Sequence, residues 1–122
     1  MRKTHNFREL IAWQKSRDIV KSIYELTKLY PKEELFSLTS QMRRAAISIP
    51  SNIAEGCGRG TNPQLVQFLT IALGSSFELE TQLILSADLN YINQVDIQEP
   101  VNKLHEIQNL IYSLKVKFDE TK

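Results

Sequence analysis

Three features of the sequence have residue types and spacings that could carry chemistry. They are the glycine-rich run "AEGCGRGTNP" at 54–63, the polar series Gln41, Arg44, Ser48, Asn52, Glu55 and Arg59, and the basic residues Arg17, Lys21 and Lys28. A glycine-rich turn leading into a helix can cradle a phosphate on its backbone amides. Here no Gly-Lys-Ser/Thr follows, so a Walker loop is absent. The dinucleotide fingerprint also fails, because it needs a preceding strand and this run follows a helical pattern. What remains is the N-terminus of the next helix with Arg59 beside it, either an anion pocket or a plain connector.

Catalysis has little to work with. His5 and His105 are the only histidines and Cys57 is the only cysteine, so a metal site lacks ligands. Nothing in the sequence positions a Ser48–His105–Asp arrangement, and His105 reads as a surface or boundary residue. Glu78 and Glu80 face about 160° apart on a helix and cannot act as a pair. Glu55 with Arg44 reads as a structural or interface ion pair. The expectation is a protein that is not an enzyme, with no cofactor and no metal.

Polyanion binding has more support. Arg17, Lys21 and Lys28 fall within about 40° of one another on a helical wheel, and Arg43–Arg44 open the next helix. With Arg59 these six are the candidate RNA or DNA contacts; a solvated face broken by Asp18 and Glu25 is the alternative. No device for reading bases is visible, so binding should run through the backbone and weaken with salt. Net charge is only +1, but it is unevenly placed. Residues 1–59 hold eleven Lys and Arg against six Asp and Glu, and residues 60–122 hold four against eight. Such a split suits a polyanion, contacts between copies, or pairing of the halves within one subunit.

The elements that must position these residues are helical. The 122 residues, 42% of them apolar, suffice for one domain with its own core. No run alternates long enough for a strand. A first helix is expected from about Phe7 to Tyr30, capped by Asn6 with Glu9 three residues on, burying Ala12, Ile19, Ile23, Leu26 and Tyr30. Pro31 ends it. A second begins near Ser37 and carries Leu38, Met42, Ala45, Ile49 and Ile53 inward. It contains Pro50, which leaves the Ala46 carbonyl unpaired at a cost of roughly 3 kcal/mol, so a kinked helix is expected. Gly56, Gly58 and Gly60 read as its terminator and turn. Asn62 caps a third helix, with Pro63 at its first position, running to about Asn90 on a stripe of Leu65, Leu69, Ala72, Leu79 and Leu83. Ser76, on that stripe, is expected to let the second helix approach near Ala45 and Ala46. The fourth ends near Phe118 and turns Leu104, Ile107, Ile111 and Leu114 inward. It either starts at Glu99–Pro100 or follows a separate turn over 94–99.

Short connections between four such segments give an all-α, antiparallel up-down-up-down four-helix bundle as a single domain. Second apolar stripes run along the first helix (Trp13, Val20, Tyr24) and the third (Val66, Leu73, Phe77, Ile84, Tyr91), spreading the third helix's apolar arc to about 180°. Two readings follow: self-association through Trp13, Val20, Tyr24, Leu73, Phe77 and Ile84, or a broad core in which each helix touches two neighbours. A single cysteine and the lack of a long apolar stretch point to a soluble, cytoplasmic protein with no membrane segment.

The stretches "LTSQMRRAAISIPSNIAEGCGR" (38–59) and "FLTIALGSSFELETQL" (68–83) resemble the 23S ribosomal RNA intervening-sequence proteins, a bacterial four-helix-bundle family. "AWQKSRDIVKSIYELTKLYPKEELFSLTSQ" is similar to the family's opening pattern, so the resemblance spans about residues 7–115. It implies a barrel-like homopentamer. It also implies kinship with the accessory variability determinant of diversity-generating retroelements, whose members assist a reverse transcriptase and contact nucleic acid. The family's polar set on the second helix maps onto Gln41, Arg43, Arg44, Ser48, Asn52 and Glu55, with Arg59 beyond it. The near-neutral charge of this chain departs from the strongly basic retroelement members. The partners implied are the protein itself together with RNA, DNA or another protein.

Overall fold

Proline, glycine and capping side chains set some of the ends of the elements. The computed structural model describes residues 5–121. Asn6 caps as expected, accepting from the Arg8 amide and donating to Glu9 Oε1, but what it caps is a single 3-10 turn over Phe7–Glu9. Leu10 is extended, and α1 runs only over Ile11–Thr27. The expected single helix from Phe7 to Tyr30 is therefore two pieces. A second 3-10 turn, Lys32–Glu34, leads from Pro31 to α2, Leu38–Gly58, which Ser37 caps.

The helix α2 continues through Pro50 and also through Gly56 and Gly58, so two of the three glycines taken for a terminator are helical. Only Gly60 takes a left-handed conformation, with φ of 91°, where the chain turns into α3. That helix spans Asn62–Asp88 and is capped by the Thr61 hydroxyl, not by Asn62. Asn90, with φ of 63°, closes its C-terminal end. A turn over residues 94–97 precedes α4, Gln98–Phe118, and places Pro100 within the first helical turn.

The helices alternate in direction. At one end the His5 amide donates to the Cys57 carbonyl, the His5 ring meets Asn62 and Phe118, and Asn62 reaches Glu120. His5, the end of α2, the start of α3 and the end of α4 thus lie together. At the other end Tyr30 packs on Tyr91, and the Tyr91 hydroxyl donates to Glu34 Oε2 at 2.7 Å. Among the described residues α1 packs on α2 and α4, as does α3, so α1 and α3 occupy opposite corners. Ile19, Ile23, Met42, Ile49, Ile53, Leu69, Leu79, Leu83, Leu104, Ile107 and Ile111 fill the centre and are wholly inaccessible.

The most extensive helix pairing is α2 against α3, and at Gly56 it leaves no room for a side chain. Ala45, Ala46, Ala72 and Ser76 are small, buried residues of these two helices. A Cβ on Gly56 would lie 2.9 Å from Phe68 Cβ and 3.3 Å from the Leu65 carbonyl oxygen. Gly74, by contrast, has open space where a Cβ would stand. Gly56→Ala would press a Cβ against a second Cβ, which has no flexible tip to yield. The upper part of the overpacking range of about 1–3 kcal/mol then applies, exceeding the ~1 kcal/mol gained in helix propensity. Gly74→Ala should instead stabilise by ~1 kcal/mol. Denaturant midpoints moving in opposite directions for the two variants are the expected outcome.

Candidate functional site

The polar series on α2 faces α3. Gln41, Arg44, Ala45 and Ser48 line an open groove of about 440 Å³ with Ser75 and Glu78 from across it. Its floor is a hydrogen-bond network. Ser48 Oγ lies 2.8 Å from Ser75 Oγ, and Asn52 Nδ2 donates to both the carbonyl oxygen and the Oγ of Ser48. The Ser48 hydroxyl is therefore committed to crossing between helices. His105 sits on α4, which does not contact α2, so Ser48 and His105 are not brought together.

Ion pairing differs from expectation. Glu55 Oε2 meets Arg59 Nη2 at 2.9 Å, one turn along the same helix, and not Arg44. The Arg59 guanidinium also lies over the Phe68 ring, 4.8 Å from its centroid. The cation next to the N-terminus of α3 is thus already held by a carboxylate and a ring. Arg43 turns inward across the α1–α2 seam, its Nε donating to Thr27 Oγ1 at 2.9 Å while the guanidinium covers the Tyr24 ring at 4.6 Å. It ties two helices together. Arg44 stays exposed in the groove.

The exposed basic face is on α1. Arg17, Lys21 and Lys28 all point outward, and among the described residues only Lys28 has an acidic partner, Glu25 at 3.8 Å. Lys15, on another side of α1, pairs with Glu106 of α4 at 2.8 Å. Of the ion pairs among described residues this one joins the basic and acidic halves, so most of the charge asymmetry stays on the surface. Arg17 lies over Trp13, 5.3 Å from its ring centroid.

The second apolar stripes divide. Trp13, Val20 and Leu73 are half-buried against the subunit core, and Tyr24 is half-buried beneath Arg43. Phe77 and Ile84 remain 52% and 46% exposed. They flank Glu80, which accepts from Gln108 Nε2 at 2.9 Å and meets His105 Nε2 at 3.0 Å. Burial alone would push the Glu80 carboxyl up, but these two partners outweigh it and hold it below the usual range. Tyr112, one turn beyond Gln108 on α4, is 60% exposed.

Cys57 is buried, and burial pushes its thiol up, which leaves it a packing residue with little thiolate. Among the described residues no cluster of three or more His, Cys, Asp or Glu could hold a metal ion, and no helix is long and apolar enough to cross a membrane.

The family model for "23S rRNA-intervening sequence protein" matches residues 8–113, which takes in all of the first three helices and most of α4. The chain belongs to this family. A solved structure with the same architecture is that of a protein of unknown function from the S23 ribosomal protein family of Bacteroides thetaiotaomicron. It superposes with a TM-score of 0.80 at 27% identity, covering 87% of this chain and 96% of that one. No functionally curated protein matches. The family relation accounts for the shared bundle and leaves the site to be argued from residues.

Sequence reasoning missed two local features. Ser75 was not seen as the partner of Ser48, and Glu34 was not seen as a clasp. Glu34 accepts from Ser37 Oγ, Tyr91 Oη and the Leu38 amide, which together hold its carboxyl below the usual carboxylate range. A carboxyl lowered in the folded state stabilises above its unfolded pKa, and the contribution is lost as pH falls through the folded value. Tyr91→Phe removes one of the three donors. The variant should lose less stability between neutral and acidic pH than the parent, as read from denaturation midpoints at both.

Proposed function

We propose that the protein is a non-catalytic subunit that assembles with copies of itself into a closed ring, a pentamer by its family resemblance, and serves as an adaptor for a further partner. The observation carrying this reading is the apolar surface left on α3. Phe77 and Ile84 form one shoulder beside α4, and Ile71, Leu85 and Leu89 form another towards α2, all of them about half exposed. Two different patches on one subunit are what a head-to-tail contact uses, and such contacts close into rings when the rotation permits. Light scattering after size exclusion at micromolar concentration should give a single oligomeric mass. Phe77→Asp should lower that mass while leaving the helical content and core intact, because Phe77 is not part of the core. A monomeric parent would end the reading.

The second reading, an RNA- or DNA-binding accessory factor of a ribonucleoprotein or reverse transcriptase, is favoured by the outward face of α1. Arg17 and Lys21 are free of acidic partners among the described residues, and repetition around an oligomer would add weak contacts into avidity. Affinity for RNA should fall steeply as salt rises. Changing Arg17, Lys21 and Lys28 together to glutamate should abolish it in a filter-binding titration, whereas binding that survives would move the surface elsewhere.

A further inference from the structure

The break at Leu10 folds the Phe7–Glu9 turn back beside α1 and creates an open cleft of about 720 Å³ lined by Phe7, Arg8, Trp13, Gln14 and Arg17. Two aromatic rings and two guanidinium groups face one another there. Phe7 meets Trp13 edge-on with centroids 5.0 Å apart. Arg8 lies 5.9 Å from the Phe7 centroid and Arg17 lies 5.3 Å from that of Trp13. The cleft is held in shape by polar contacts among its own lining residues and within the turn. Gln14 Nε2 donates to the Arg8 carbonyl at 2.8 Å, and Asn6 Nδ2 donates to Glu9 Oε1 at 3.2 Å across the turn. Lys21 follows Arg17 one turn further along the same outward face, about 6 Å along the axis.

We propose that this cleft binds single-stranded nucleic acid, one base stacking against the Trp13–Arg17 pair while Arg8, Arg17 and Lys21 hold the neighbouring phosphates. The inference rests on the polyanion reading of α1 and gives it a site. Bases stack on aromatic rings and on guanidinium planes alike, and the combination is tolerant of sequence because every base has a flat face. An acidic peptide would satisfy the cations but would leave the rings without a counterpart, so the aromatic pair favours a nucleic acid. Asp18 is the acid next to Arg17 in sequence, but it lies about 100° round the helix from it.

Trp13 is the only tryptophan in the chain, so its emission reports on the cleft directly. The full-length protein is titrated at low salt with oligouridylate, with an abasic oligomer of equal length, and with polyglutamate. Oligouridylate should change Trp13 emission and bind more tightly than the other two. Loss of one stacked base corresponds to affinity about 5- to 150-fold weaker. Arg8→Gln and Arg17→Gln, both exposed positions, should weaken oligouridylate binding in a fold whose circular dichroism is unchanged; Trp13→Leu should remove the base-dependent part. Tight binding with unaltered emission and no effect of Arg8→Gln or Arg17→Gln would overturn the cleft and leave the polyanion reading standing. Equal binding of the abasic oligomer or of polyglutamate would overturn it in favour of a simple anion or acidic-peptide surface. No binding to any nucleic acid at low salt would end both.

Discussion

The close approach of α2 to α3 is the constraint on which the rest of the structure depends. Helix axes come together only as far as the groups between them permit, and here Gly56 stands where a Cβ would meet Phe68 and Leu65. The approach sets the Ser48 and Ser75 hydroxyls at hydrogen-bond distance. It seats Phe68 against the last turns of α2, where the same ring receives Arg59. It also explains why so polar a helix face coexists with an apolar core. The polar series looks along the seam into the groove, while Met42, Ile49 and Ile53 look inward. With α2 and α3 fixed, α1 and α4 complete a square in which no diagonal pair touches.

Much of this was legible in the sequence because core spacing is a strong signal. The inward stripes on the third and fourth helices and the continuation of the second through Pro50 follow from periodicity, whereas α1 stops at Thr27, short of Pro31, and α3 begins at Asn62, one residue before Pro63. The failures have a common cause, which is that local signals were assigned to the wrong element. Asn6 and Glu9 form a sound capping pair, but no proline or glycine marks the break at Leu10, so the pair was attached to α1. Gly56 reads as punctuation by residue type. Yet Ile49, Ile53 and Gly56 continue the four- and three-residue spacing of the core face, which is the signature of a packing glycine. Arg44 and Glu55 stand eleven residues, about 16 Å, apart along one helix axis and cannot pair within a subunit. Arg59 then falls one turn beyond Glu55.

The candidate site was only half legible for the same reason. Arg17, Lys21 and Lys28 share a face whatever precedes them, because their register depends on α1 alone. The cleft at Trp13 depends on where Phe7 and Arg8 go after the chain breaks, and a continuous helix would have carried them away from it. Arg43 illustrates the opposite case. By composition it belongs with Arg44, but its position beside the α1 seam gives it Thr27 and Tyr24 as partners. A guanidinium that stacks and donates at once is a helix tie that lysine would not replace.

The placement of α1 and α3 at opposite corners makes the two functional readings compatible. Phe77, Ile84, Ile71 and Leu85 lie on α3, and the basic face with its aromatic cleft lies on α1. Contacts between copies made through α3 would therefore leave α1 turned away from the contact and would repeat its modest charge around the assembly. A near-neutral chain can act as a polyanion receptor under that arrangement, because what a nucleic acid meets is the local field of one repeated face and not the net charge of the subunit. The acidic second half supports the same geometry. Glu78, Glu80 and Asp88 lie on α3, the helix that α1 does not touch, and the Lys15–Glu106 pair is where the two halves meet across the α1–α4 seam. On these two readings self-association and nucleic-acid contact would call on different helices, and a change on one need not disturb the other.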